Sequence, residues 1–214
     1  HVTVTADDPK TPDDIIPGTD DMYNYPEGIT NDDLNHTAVR TITVVKPDGS
    51  TTTKDQTVTV KRSAVVDVPN GDVTYNDWST GSWDTYQVPA VSSYTPSQAE
   101  VPSMTVTDKT QDATVKITYS ANAHSMKLNY VDGNSAMVKS YTFNGNTDSD
   151  VEVNAPIPTG WKLSAGQGNV PVSIHFGADG AQDLTFKIEH ITKRVPASEP
   201  LQPGVKSMTG ADVT

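Results

Sequence analysis

The sequence predicts a predominantly β chain, α+β at most, organised as two small tandem modules, and three observations carry that expectation. Only 34% of the 214 residues are hydrophobic, below the roughly 45–50% of an ordinary soluble domain. Thr, Ser, Asp, Asn, Gly and Pro make up the difference and favour strands and turns over helices. β-Prone runs are separated by Asp-Gly and Asn-Gly pairs, which readily take the positive φ of tight hairpin turns. The third observation is an internal repeat. "VPAVSSYTPSQAEVPSMTV" followed by "DATVKITY" aligns with "APIPTGWKLSAGQGNVPVSIHF" followed by "DLTFKIEH", so that Pro89 answers Pro156, Tyr94 answers Trp161, Val101-Pro102 answers Val170-Pro171 and Asp112 answers Asp183.

Taken in order, residues 6–36 are dense in Pro, Gly and Asp and show no period of 2 or 3.6, the composition of a linker. The opening "HVTVTADDPKTP" echoes "EHITKRVPAS" further on, so residues 1–36 are expected to be the end of a preceding unit plus linker. The first module is placed at 37–121. It starts with "VRTITVVKPDGSTTTKDQTVTVKR", turning at Asp48-Gly49, and continues with "SAVVDVPNGDVTYNDW", turning at Asn70-Gly71. "TPSQAEV" carries the best helical signal, with Pro96 at the first position after Thr95. "DATVKITY" alternates, Val115, Ile117 and Tyr119 on one face and Thr114, Lys116 and Thr118 on the other, which predicts a half-buried strand. The second module is placed at 122–195, with turns at Asp132-Gly133, Asn144-Gly145 and Asp179-Gly180, and residues 196–214 read as the start of another linker.

A net charge of −12 excludes nucleic acids and anionic membranes as partners, because affinity for both depends on Lys and Arg meeting negative charge. No apolar run approaches the roughly 18–20 residues of a membrane span, so any export signal or anchor is expected outside these residues. With no cysteine, disulfides and thiolate metal sites are excluded.

These motifs resemble the mucus-binding (Mub) repeat of surface adhesins of lactobacilli and related Gram-positive bacteria. The first module carries the resemblance through "TVTVKR", "GDVTYNDW" and "VPAVSSYTPSQAEV", and the second, which departs further, through "NYVDG". The resemblance implies β-grasp (ubiquitin-like) modules set end to end in an elongated rod. It also implies an extracellular, cell-wall-anchored protein that binds host mucin glycoproteins, with immunoglobulins as a further class of partner. A monomeric unit repeated along a longer chain is expected, with a structural stalk as the alternative function.

Candidate contact residues follow from chemistry. Indole faces pack on sugar rings, yet in a chain poor in large apolar residues aromatic side chains also dominate the core. Trp78, at the end of a hairpin strand, is therefore expected in the core. Trp83, among Gly81, Ser82 and Asp84 in an expected loop, is the ligand candidate, together with Tyr86. Lys61-Arg62 and Lys193-Arg194 are adjacent cationic pairs that could meet sialate or sulfate. The chain's negative field opposes such steering, leaving hydrogen bonds, aromatic contacts and repetition as sources of affinity. Asp148 and Asp150, in "NTDSDVE", are weak calcium candidates; no other cofactor is expected. No nucleophile elbow, phosphate loop or dinucleotide fingerprint occurs, and the five histidines lack ligand spacing, so no enzymatic activity is expected.

Overall fold

The computed structural model describes residues 1–192, and the chain divides into two units. Unit 1 comprises His1–Ala90 and Pro96–Ser120; unit 2 takes Val91–Thr95 and the chain from Ala121 onward. Nearly all regular structure is β.

Unit 1 opens with β1 (Val2–Val4) and one short helix, α1 (Asn31–Leu34). The strands β2 (Asn35–Val45) and β3 (Thr51–Lys61) form a long antiparallel hairpin over the Asp48-Gly49 turn, where Gly49 takes φ +82°. Alternation decides what β2 buries: Ala38, Arg40, Ile42 and Val44 point inward. A second hairpin, β4 (Ala64–Asp67) with β5 (Asp72–Tyr75), turns through Gly71 at φ +74° and adds β1 along its other edge. Short strands follow: β6 (Gly81–Trp83), β7 (Tyr86–Gln87), β8 (Tyr94–Pro96), β9 (Glu100–Val101) and β10 (Met104–Val106). β11 (Ala113–Ile117) then lies parallel to β2, and its Val115 and Ile117, with Tyr119 just beyond it, pack inward as the alternation predicts. β12 (Tyr119–Ala121), like β8, has its residues divided between the units.

Unit 2 repeats the opening of this grammar. β13 (Ala123–Val131) and β14 (Met137–Asn146) form the hairpin, and β18 (Leu184–His190) runs parallel to β13. β15 (Ser149–Val153) pairs with β17 (Val172–Phe176), and β16 (Trp161–Leu163) lies on the outer side of β18. The aligned aspartates do the same work in both units. Asp112 accepts the backbone N–H of Val39 on β2 at 2.8 Å, and Asp183 accepts that of Lys127 on β13 at 2.7 Å. Each carboxylate thus ties the residue before β11 or β18 to the strand it pairs with, helping to fix the register of a parallel pair that no tight turn can set.

Three expectations are corrected. Residues 6–36 are not a bare linker: Val4, Ile16, Tyr25, Ile29 and Leu34 are buried with Ala64 and Val66 in one apolar cluster. The cluster escapes a period search because its members sit at turns, held by bonds such as Ile16 N–H to the Tyr23 carbonyl (2.8 Å) and Lys10 N–H to that of Ile29 (3.0 Å). Asp14 closes one of these turns. Its carboxylate accepts the backbone N–H and the hydroxyl of Thr11, which together hold its pKa below the ordinary carboxylate value.

"TPSQAEV" forms no helix; Thr95 and Pro96 are extended in β8, and Ser97 donates to the Thr118 carbonyl at 2.7 Å. The observed helix follows Thr30 instead, whose backbone N–H and hydroxyl both donate to the Asp33 carboxylate (3.0 and 2.6 Å). Asn144-Gly145 is not a turn but lies inside β14, and the chain reverses at Thr147 and Asp148, with Asp148 at φ +61°. Gly145 is there because the ring of buried Phe176 rests on its Cα. A Cβ would come within 2.6 Å of that ring. Gly145→Ala is therefore expected to destabilise unit 2 by about 1–3 kcal/mol, read as a lower urea midpoint at unchanged m.

Candidate functional site

The hairpin β4–β5 ends at Tyr75, and the chain leaves the ladder through bonds that shape an open groove in unit 1. Asn76 N–H donates to the Ser63 carbonyl (2.9 Å), and Ser79 N–H to that of Lys61 (2.7 Å). The Ser79 hydroxyl oxygen accepts the Lys61 N–H in return (2.8 Å). These bonds hold residues 77–79 against the corner at 61–63, and the loop at Ala6 and Asp7 closes the third side. The groove encloses about 350 Å³ and is lined by Ala6, Asp7, Lys61, Arg62, Ser63, Asp77, Trp78 and Ser79.

Arg62 is its best-anchored member. Its guanidinium lies 3.5 Å over the Tyr75 ring and 4.7 Å from the centroid of Trp78, an attraction between cation and ring quadrupole. Nε donates to the Asp33 carbonyl at 2.8 Å, while the two terminal nitrogens meet no acceptor among the described residues. Tyr75 is fixed in turn by its hydroxyl, which donates to the Gly28 carbonyl at 2.7 Å. Lys61 Nζ pairs with the Asp7 carboxylate. Asp77 is exposed and makes no side-chain bond or ion pair among the described residues. The groove therefore offers an indole surface, a half-used guanidinium, carboxylate acceptors and hydroxyl donors, a set suited to a polyhydroxylated ligand held without covalent chemistry.

The candidates read from the sequence scatter accordingly. Lys61 and Arg62 line the groove, and both tryptophans belong to one apolar cluster, Trp83 buried within it and Trp78 packed against it in part. Trp83 is 1% exposed and packs with Ala38, Val60 and Val106, so it cannot serve as a stacking platform. Trp78, expected in the core, is half-buried and presents its remainder to the groove. Tyr86 turns toward the Ile42, Val44, Val101 and Ile117 cluster, away from a ligand role. Asp148 accepts the Tyr94 hydroxyl at 2.6 Å, which holds that phenol above its usual pKa. Asp150 instead pairs with His175 at 2.9 Å. The two thus have separate partners, and no three acidic, histidine or cysteine side chains are grouped as metal ligands among the described residues. Lys193-Arg194 lies outside the described residues. The sequence reading missed Asp7, Ser63, Asp77 and Ser79; only Asp77, beside the conspicuous Trp78, carried any signal.

The part of the chain that supplies most of the groove also carries a family likeness. Residues 29–123 match the Muc B2-like domain family. The matched residues include Lys61, Arg62, Ser63, Asp77, Trp78 and Ser79, while Ala6 and Asp7 precede them. Similar solved structures include the mucin-binding domain of Spr1345 from Streptococcus pneumoniae, at 28% identity over 40% of this chain and 89% of that one, with a TM-score of 0.37. The type 2 repeat of the mucus binding protein MUB from Lactobacillus reuteri is 22% identical over 56% and 58% of the two chains, with a TM-score of 0.36. The MucBP domain of the adhesion protein from Pediococcus pentosaceus is 26% identical over 41% and 99%, with a TM-score of 0.33. No curated protein matches the chain significantly. No helix among the described residues is long and apolar enough to cross a membrane.

Proposed function

We propose that this chain is a repeat unit of an extracellular Gram-positive adhesin that binds host mucin glycoproteins through weak contacts multiplied by repetition. The match of residues 29–123 to the Muc B2-like domain carries the reading. The parallel pairing of β11 with β2 and of β18 with β13 supports β-grasp-like modules as the scaffold. Net charge shapes the mechanism: at −12 the chain is repelled by acidic mucin, so association gains nothing from steering. Linked copies make each later contact intramolecular, raising avidity by about 10²–10⁴ without a new contact.

Binding of the whole chain to immobilised mucin, alone and as linked copies, tests this. Weak retention of one copy and strong retention of several are expected, with periodate oxidation of the mucin glycans abolishing both. Retention that survives periodate would transfer recognition to the protein core of mucin. Tight, salt-sensitive binding by one copy would overturn the avidity mechanism.

A further inference from the structure

We infer that the groove between residues 61–63, residues 77–79 and Asp7 is a subsite for an uncharged sugar, a hexose or N-acetylhexosamine unit, and that it rejects sialylated and sulfated termini. The inference rests on the mucin-binding reading and adds the place of contact and the class of sugar.

Charge balance decides between the sugar classes. Lys61 and Arg62 bring two cations to the groove and Asp7 and Asp77 two anions, so the lining is neutral at pH 7. Lys61 is already matched by Asp7. The terminal nitrogens of Arg62 are open, but the open carboxylate of Asp77 shares the same small space. A sialate or sulfate bound to the guanidinium would meet Asp77 with no further free cation to offset it, inside a chain of net charge −12. Like charges brought together in one small groove oppose binding.

An uncharged pyranose meets no such conflict, because each of its hydroxyls both donates and accepts. Asp77 offers an open carboxylate acceptor, and Arg62 offers its terminal N–H groups. Ser63 and Ser79 accept from Asn76 and Lys61 respectively and each retains its own hydroxyl proton to donate. The exposed part of the Trp78 indole supplies the apolar surface on which the C–H face of a ring rests. The volume, about 350 Å³, is at the small end of ligand pockets, which run from about 300 to 1,000 Å³, and suits a terminal sugar or disaccharide.

The test is titration of the whole chain with millimolar N-acetyllactosamine and with its 3′-sialylated form, following the indole N–H signals of the three tryptophans. The neutral disaccharide is expected to move the Trp78 signal while leaving Trp83 and Trp161 in place. Its affinity should change little with salt, and the sialylated form should bind about tenfold or more weakly. Asp77→Ala removes an exposed, unbonded side chain, so its melting temperature should be unchanged while affinity falls about tenfold. Equal or tighter binding of the sialylated form would overturn the inference. So would an unmoved Trp78 signal across a panel of neutral galactose, N-acetylgalactosamine and N-acetylglucosamine disaccharides, or an Asp77→Ala variant of unaltered affinity. Retention of linked Asp77→Ala copies on mucin at the wild-type level would sink the groove alone; failure of linked wild-type copies to adhere would sink the adhesin reading.

Discussion

Trp83→Ala is expected to destabilise unit 1 by about 3–5 kcal/mol, the range for truncating a large aromatic in a packed core. Trp83 is 1% exposed among Ala38, Val60 and Val106, which are too small to fill the space it would leave, and the one large neighbour, Trp78, packs against the cluster only in part. The loss also reaches Arg40, whose guanidinium sits 5.4 Å from the indole centroid. Arg40 is 4% exposed and has no carboxylate partner among the described residues; burial lowers its pKa. It is held by oxygens alone: Gln56 Oε1 at 2.8 Å and the Pro102 and Asp84 carbonyls at 2.7 Å. These bonds join β2 to β3 and to the segments beside β6 and β10, and an opened indole site admits water to all of them. A domain of this size loses about 4–8 °C of melting temperature per kcal/mol, so a fall of more than about 10 °C is expected. Trp78→Ala, at a half-buried position, should cost markedly less stability while removing the groove's apolar wall. Thermal and urea unfolding of both variants checks the contrast. A Trp83 variant that melted like the wild type would overturn its core assignment, whatever happened to mucin binding.

That contrast marks how far the sequence could be read. Alternation identified β11 and its inward residues, and the repeat alignment paired Asp112 with Asp183 before their common bond to the first strand was visible. Trp78 joins the core only in part because the strand ends at Tyr75 and Trp78 lies beyond it on a segment held by backbone bonds. β6 is only three residues, too short for a period to show. Its inward face is nevertheless written in Gly81 and Trp83, two residues apart: a Cβ on Gly81 would fall 2.5 Å from Val58 Cγ1. The glycine lets β6 close on β3 and carries the indole inward. Lys61 and Arg62 were legible as a cationic pair, but the neutrality of their site was not, because Asp7 comes from more than fifty residues away.

Removing residues 1–28, so that the chain starts where the Muc B2-like match begins, is expected to unfold the β4–β5 hairpin while sparing the β2–β3–β11 sheet. The deletion takes Val4, Ile16 and Tyr25 out of a cluster whose remaining members, Ile29, Leu34, Ala64 and Val66, are all fully buried. Each such aliphatic side chain contributes about 1.5–3 kcal/mol by leaving water. It also strips β1 from β4, exposing the backbone edge at Ala64–Val66, and removes both the Ala6 carbonyl that accepts from Asn35 and the Gly28 carbonyl that anchors Tyr75. A two-stranded hairpin with no apolar cover is marginal in water, and an open edge beside exposed Val and Leu is a template for aggregation. The β2–β3–β11 sheet rests on two other clusters, one around Trp83 and one around Ile42 and Ile117, which the deletion leaves intact. Hydrogen exchange should therefore quicken at residues 64–75 toward the rate of an open chain while the amides of β2 remain protected. Sugar binding in the groove should vanish with the loss of Asp7 and of the hairpin that presents Trp78. Retained protection at residues 64–75 would mean that residues 1–28 are a dispensable leader to the domain, as their Pro- and Asp-rich composition alone suggests.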